Sequence, residues 1–130
     1  MPALLLDTTV LIDVLRGAPA ADRLRALRRE GAVPYICAVN VDEIARGIRP
    51  REELNARRLL RALRLAPLGQ SEAWRAGAWR REFAELGVTL SQPDCMVASA
   101  AVGVGATLAT GNLKDFPMPG LSVEHWPVGA

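Results

Sequence analysis

Four acidic residues stand where short apolar runs stop. Asp7 follows Ala3-Leu4-Leu5-Leu6, and Glu43 comes shortly after Val33-Pro34-Tyr35-Ile36-Cys37. Asp94 opens an apolar helix, and Asp115 comes shortly after Ala106-Thr107-Leu108-Ala109-Thr110. Carboxylates at strand ends are the usual way an α/β sheet builds a site, because ligands bind beyond the carboxyl ends of its parallel strands. Brought together, the four charges repel strongly. A divalent cation that favours oxygen removes the repulsion, and Mg²⁺ or Mn²⁺ fits best. A site of that kind activates water against a phosphodiester.

Each acid also has a structural role open to it. Asp7 and Thr8 or Thr9 are good helix N-caps, while Thr9 is also placed to hydrogen-bond to Asp7 or to a metal-bound water. Asn40-x-x-Glu43 has the spacing of a capping box, in which Glu43 reaches back to the Asn40 amide. Asp42, on a different helix face, reads as solvated. Asp94 follows Pro93 in a first helical turn, where the macrodipole favours an acid. The rest of that helix is very apolar, however, and an unpaired acid at the mouth of a buried helix needs a partner. Thr110-Gly111-Asn112-Leu113-Lys114-Asp115 reads as a turn, from which Asn112 or Asp115 can reach a site.

The elements needed to position these residues are legible in the hydrophobic pattern. Residues 3–6 and 33–37 read as buried parallel-type strands, and 106–110 as a third. Weaker strand signals lie at 65–68 and 121–123. Helical spacing runs from Val10 to Leu15, from Ala21 to Arg29, from Asn40 to Ile48, from Arg51 to Leu63, from Ser71 to Leu86 and from Pro93 to Val102. Strands alternating with helices imply βαβ units, hence an α/β fold with a mostly parallel sheet. The 130 residues suit a single domain, 1–130. No apolar run approaches the roughly 20 residues that cross a bilayer, so no membrane association is expected. The opening Met1-Pro2-Ala3, with its early acid, does not read as a signal peptide. Cys37 and Cys95 form no CxxC pair and His125 is the only histidine. Buried free thiols in a reducing cytoplasm are expected, and a zinc site is not.

The net charge of +2 hides an uneven distribution. Between Arg46 and Arg81 ten arginines meet only Glu52, Glu53 and Glu72, a local balance of +7, while the remainder balances at −5. Arginine forks suit phosphate, so a polyanionic partner such as RNA is one explanation and a GC-rich genome is another. Arg46 lies one helical turn beyond Glu43, close enough to hold a phosphate beside a metal. Trp74 and Trp79 read as core or dimer-interface residues rather than stacking platforms.

The acids in their settings resemble a family. Leu4-Leu5-Leu6-Asp7-Thr8-Thr9-Val10-Leu11-Ile12-Asp13 is similar to the opening of PIN domains, particularly VapC-type toxins of toxin–antitoxin pairs. Val41-Asp42-Glu43-Ile44-Ala45-Arg46-Gly47-Ile48 resembles the second acidic motif. Pro93-Asp94-Cys95-Met96-Val97-Ala98-Ser99-Ala100-Ala101 resembles the third, and Leu108-Ala109-Thr110-Gly111-Asn112-Leu113-Lys114-Asp115-Phe116 the fourth. The fourth departs from the commonest pattern, since Gly111 stands where Arg is usual. The fourth site residue is then Asp115, or Asn112 as a neutral ligand.

The resemblance implies a three-layer α/β/α sandwich and a Mg²⁺- or Mn²⁺-dependent endoribonuclease toxin. It places Asp7 and Asp94 on the metal, Glu43 completing the shell or orienting water, and Thr9 and Asn112 as hydrogen-bonding support. It also implies a small antitoxin whose C-terminal segment covers the site, and a homodimer. Two other readings remain open. One is a catalytically weak PIN module that only binds RNA. The other is a phosphatase with Asp7 as nucleophile, disfavoured because position 9 is Thr where a second Asp is needed.

Overall fold

The computed structural model describes residues 2–17 and 19–129. Five strands form one sheet in the order β3-β2-β1-β4-β5, and every neighbouring pair is parallel. The strands are β1 (Ala3–Leu6), β2 (Val33–Ile36), β3 (Arg64–Leu65), β4 (Thr107–Thr110) and β5 (Val123–His125). The helices are α1 (Thr8–Leu15), α2 (Pro19–Arg29), α3 (Ala38–Gly47), α4 (Glu53–Arg61), α5 (Gln70–Glu85) and α6 (Gln92–Gly103).

Alternation along the strands divides the core in two, as the period of two requires. Leu5 and Leu108 face one layer, where they pack with Ala76 and Trp79 of α5 and with Val97, Ala98 and Ala101 of α6. Leu4, Leu6 and Ala109 face the other, with Val10 and Leu11 of α1, Leu24 of α2 and Ala56 of α4. The result is the expected three-layer α/β/α sandwich. Helix α6 is buried along most of its length, because its small alanines let it lie flat between α5 and the sheet.

Several boundaries differ from the sequence reading for local reasons. The stretch 51–63 splits into a 3₁₀ turn, Pro50–Glu52, and α4; Pro50 opens the turn and Glu52 reaches back to the Arg49 amide at 2.9 Å. The third strand is only Arg64–Leu65, paired with Tyr35 and Ile36. Helix α3 begins at Ala38, two residues before Asn40. The last strand is Val123–His125, because register with β4 pairs Leu108 with Val123 and Thr110 with His125. Trp79 is buried but Trp74 is 73% exposed. Cys37 and Cys95 are both buried and free.

Trp126, just after β5, is the largest fully buried side chain. The Arg23 guanidinium lies 4.5 Å from its ring centroid and is itself paired with Glu124. The indole N–H finds no acceptor among the described residues. What Trp126 contributes is therefore packing, not a hydrogen bond. Trp126→Ala is expected to cost about 3–5 kcal/mol in urea denaturation, and Trp126→Phe much less. Equal losses for the two would show that the N–H matters after all.

Candidate functional site

The strand order reverses direction between β1 and β4: from β1 the chain moves outward through β2 and β3, then returns to place β4 and β5 on the other side. At such a switch point the connections leave in opposite directions and open a crevice beyond the strand ends. Asp7 follows β1 at this crevice and Thr110 ends β4 beside it, with the Asp7 amide bonded to the Ala109 carbonyl at 2.9 Å. Asp7 is 7% exposed.

Asp7 occupies the N-cap position of α1, yet its side chain makes no capping bond to the helix. It accepts instead from two hydroxyls on the same oxygen: Thr110 Oγ1 at 2.8 Å and Thr9 Oγ1 at 3.1 Å. Burial pushes its carboxyl above the ordinary 3.8, against the lowering effect of the Thr110 and Thr9 hydroxyls and of the adjacent Thr8 backbone N–H. The nearby Glu43 charge raises it further.

Glu43 is held by a relay. Asn40, fully buried, accepts the Cys37 amide at 2.8 Å. Its amide nitrogen donates to Thr8 Oγ1 at 3.2 Å, and that hydroxyl donates to Glu43 Oε1 at 2.6 Å. The capping box read from Asn40 and Glu43 is therefore not formed. The helix starts earlier, Asn40 caps its own first turn, and Glu43 is left to face α1. Cys37 lies under these acids, and burial pushes its thiol up, with smaller upward contributions from Glu43 and Asp7.

Asp94 is half-buried in the first turn of α6, where its amide bonds to the capping Ser91 hydroxyl at 3.2 Å. Burial raises its carboxyl above 3.8, and the charges of Asp115 and Asp7 raise it further against the Ser91 bond. In the turn after β4, Asn112 Nδ2 donates to Asp115 Oδ2, so Asn112 holds Asp115 rather than competing with it. Asp7 thus feels Glu43, and Asp94 feels both Asp115 and Asp7, but among the described residues no three His, Cys, Asp or Glu side chains are grouped closely enough to hold a metal ion. Arg46 is exposed on α3, one turn from Glu43. Of the arginines further along, Arg57 is paired with Glu53 at 3.3 Å and Arg64 belongs to β3.

Thr8, Asn40, Ser91 and Thr110 were not singled out from sequence for this site. Thr110 had the same signal as Asp7, a polar residue at the end of an apolar strand. Asn40 had none beyond a helix start. A Cβ at Gly111, the departure in the fourth motif, would lie 2.5 Å from Val128 Cγ2, so Val128 would have to shift to admit one.

A parallel α/β/α sandwich with a buried acid at its switch point defines a class of fold, and comparison with known proteins supplies the family. The chain matches the PIN domain over residues 4–117, and it belongs to that family. It is 34% identical over 116 residues to Ribonuclease VapC10 of Mycobacterium tuberculosis, covering 88% of this chain and 86% of that one. A structure of DNA-bound VapBC from Salmonella typhimurium matches with a TM-score of 0.81 at 25% identity, covering 97% of this chain and 99% of its counterpart. A toxin–antitoxin complex from Klebsiella pneumoniae matches with a TM-score of 0.74 at 27% identity, covering 98% and 99%.

The raised acids set a pH dependence. In the unfolded chain Asp7 titrates near 3.8 and in the folded chain higher, so the native state binds more protons in between and stability falls as pH rises through that interval. Asp7→Asn is therefore expected to raise the melting temperature of the metal-free protein. The gain should grow as pH rises above 3.8 and disappear below it. Melts in chelator across a pH series measure this; a gain that is independent of pH would show that charge burial is not its cause.

Proposed function

We propose that this protein is a Mg²⁺- or Mn²⁺-dependent endoribonuclease, the toxin of a toxin–antitoxin pair. The observation that carries the reading is the buried Asp7 at the switch point, whose ionisation is opposed by burial and by Glu43, with Asp94 opposed in turn by burial, Asp115 and Asp7. Acids placed at such expense to their own ionisation favour a cation. The donor set is all oxygen, which suits a hard divalent ion. Among the described residues no three His, Cys, Asp or Glu side chains stand close enough to form a ready cage. Mg²⁺ keeps several waters and takes one or two carboxylates, so Asp7 and Asp94 would have to hold it largely by themselves.

Asp7 and Asp94 would hold the cation, with Glu43 and Asp115 flanking it. A divalent ion there supplies Lewis acidity toward a phosphodiester oxygen and an attacking water. The chain's own groups do the rest. Thr110 and Thr9 keep the Asp7 carboxylate in one orientation, and Thr8 keeps Glu43 turned inward to accept a proton from water. Asn112 steadies Asp115. Arg46, exposed at the rim, meets substrate phosphate. The similarity to proteins named as VapC ribonucleases and as VapBC complexes supports both RNA as substrate and a small antitoxin whose C-terminal segment covers the site. The same reading includes a homodimer and a cytoplasmic setting. Exposed Trp74 and Leu86 are apolar surface that a second copy would bury.

Purified protein should cut RNA in Mg²⁺ or Mn²⁺ and stop in chelator. Asp7→Asn and Asp94→Asn should each abolish cleavage without unfolding the protein, and Glu43→Gln should lose activity with little change in stability. Asp115→Asn should lose more than Asn112→Ala, because only Asp115 brings charge. Wild-type rates in both Asp7→Asn and Asp94→Asn would overturn the metal assignment. RNA bound but never cut by the wild-type chain would favour a binding module.

The role of Arg46 has a separate test. Phosphate contacts release counterions, so log affinity should fall with log salt by roughly 0.7 per contact on a single strand. Arg46→Ala should reduce both affinity and slope more than a change at Arg57, Arg58, Arg61 or Arg64. A flat salt response with normal binding by Arg46→Ala would leave genome composition as the source of the arginines.

A further inference from the structure

The segment after β5 does more than end the sheet. The Trp126 amide bonds to the Thr110 carbonyl at 2.9 Å. Two residues on, the Val128 side chain lies over Gly111, and two further contacts to a built Cβ, at 2.8 and 3.2 Å, are also Val128 atoms. The Gly129 amide then bonds to Asp13 Oδ2 of α1 at 2.8 Å. Gly129 has φ 76°, a left-handed conformation that glycine adopts without strain. Gly111 is not among the residues of positive φ. The constraint on residue 111 is therefore spatial: a Cβ there would force Val128 to shift. The segment thus bridges the turn after β4 and helix α1, the two elements that flank Asp7.

That turn governs how Asp7 is held. The Gly111 amide donates to Thr9 Oγ1 at 3.1 Å, and the Asn112 amide donates to Thr110 Oγ1 at 3.0 Å. Each hydroxyl has one hydrogen and two acceptor sites. With an amide N–H occupying an acceptor site, the hydroxyl hydrogen is directed away from it, toward Asp7. Both side-chain donors to Asp7 therefore depend on where the backbone of residues 111 and 112 lies.

We propose that Trp126–Gly129 is a positioning strap for the acidic site: seated on Gly111 and tied to Asp13, it fixes the turn after β4, and through Thr9 and Thr110 the orientation of Asp7. Gly111, Val128 and Asp13 are positioning residues, since none is required to touch substrate. The activity part of this proposal rests on the nuclease reading; the geometric part does not. Pro127, Val128 and Gly129 are exposed, so removing them deletes little core. Trp126, which anchors the strap, stays in place.

Two variants test it. One is the chain stopped after Trp126; the other is Gly111→Ala, alone and combined with Val128→Gly, which removes the three clashing atoms. Hydrogen exchange at the Gly111 and Asn112 amides reports the turn without any reaction. Cleavage of RNA in Mn²⁺ reports the site. Both the shortened chain and Gly111→Ala should melt within a few degrees of wild type and exchange faster at those two amides. Their kcat should fall about tenfold with KM little changed, as a small misplacement of a reacting group produces. Adding Val128→Gly to Gly111→Ala should restore a substantial part of kcat. Unchanged exchange in the shortened chain would overturn the strap, and faster exchange with wild-type kcat would overturn its positioning role. If the wild-type protein cuts no RNA, the nuclease reading fails while exchange still decides the strap. Should Gly111→Ala not fold, the shortened chain decides alone.

Discussion

Everything in the site follows from one constraint, the burial of the Asp7 carboxylate at the end of the central strand. Withdrawing a charge from water is costly unless it is hydrogen-bonded, and Asp7 is surrounded by groups that provide this. Thr110 donates from the neighbouring strand and Thr9 from the helix that follows. The bonds lessen the penalty without removing it, since the carboxyl still titrates above its ordinary value. On the function proposed above, a bound cation would offset that residual cost.

The sheet supplies this arrangement almost unaided. With β1 in the middle, β2 and β4 lie on either side of it. The residues after β1, β2 and β4 then meet at one edge, although Asp7 and Thr110 are 103 positions apart along the chain. Asp7 and Thr110 bond across that span because Leu6 and Ala109 are in register. Helix α6 approaches from the other layer, and its alanines allow close seating, which brings Asp94 near Asp7 and Asp115.

The acids are not free side chains around a hole. Glu43 is reached through Asn40 and Thr8, and Asp115 through Asn112. Such supporting bonds hold each carboxylate in one rotamer, which a site needs if it is to gather charge repeatedly at the same point. The basic stretch runs from Arg46 to Arg81. Several of its arginines are engaged locally, as Arg57 is with Glu53 and Arg75 with the Ser99 carbonyl at 3.0 Å.

By itself, the sequence determined an α/β fold with a mostly parallel sheet and offered the acids Asp7, Glu43, Asp94 and Asp115 as site candidates. Hydrophobic period and strand-end placement are local properties, and both can be read one segment at a time. Strand limits at β3 and β5 were less legible, because two or three residues become strand only when a neighbour pairs with them. The Asn40–Glu43 spacing was misleading for a related reason: a capping box and a first-turn Asn look alike until the helix start is known. Only the tertiary structure decided that Thr110 serves Asp7, that Thr8 carries Asn40 to Glu43, and that Val128 lies against Gly111. Those relations join residues remote in sequence, and a hydroxyl or a missing Cβ gives no periodic signal. Its meaning depends on which atom lies within about 3 Å, and that is set by how strands and helices pack.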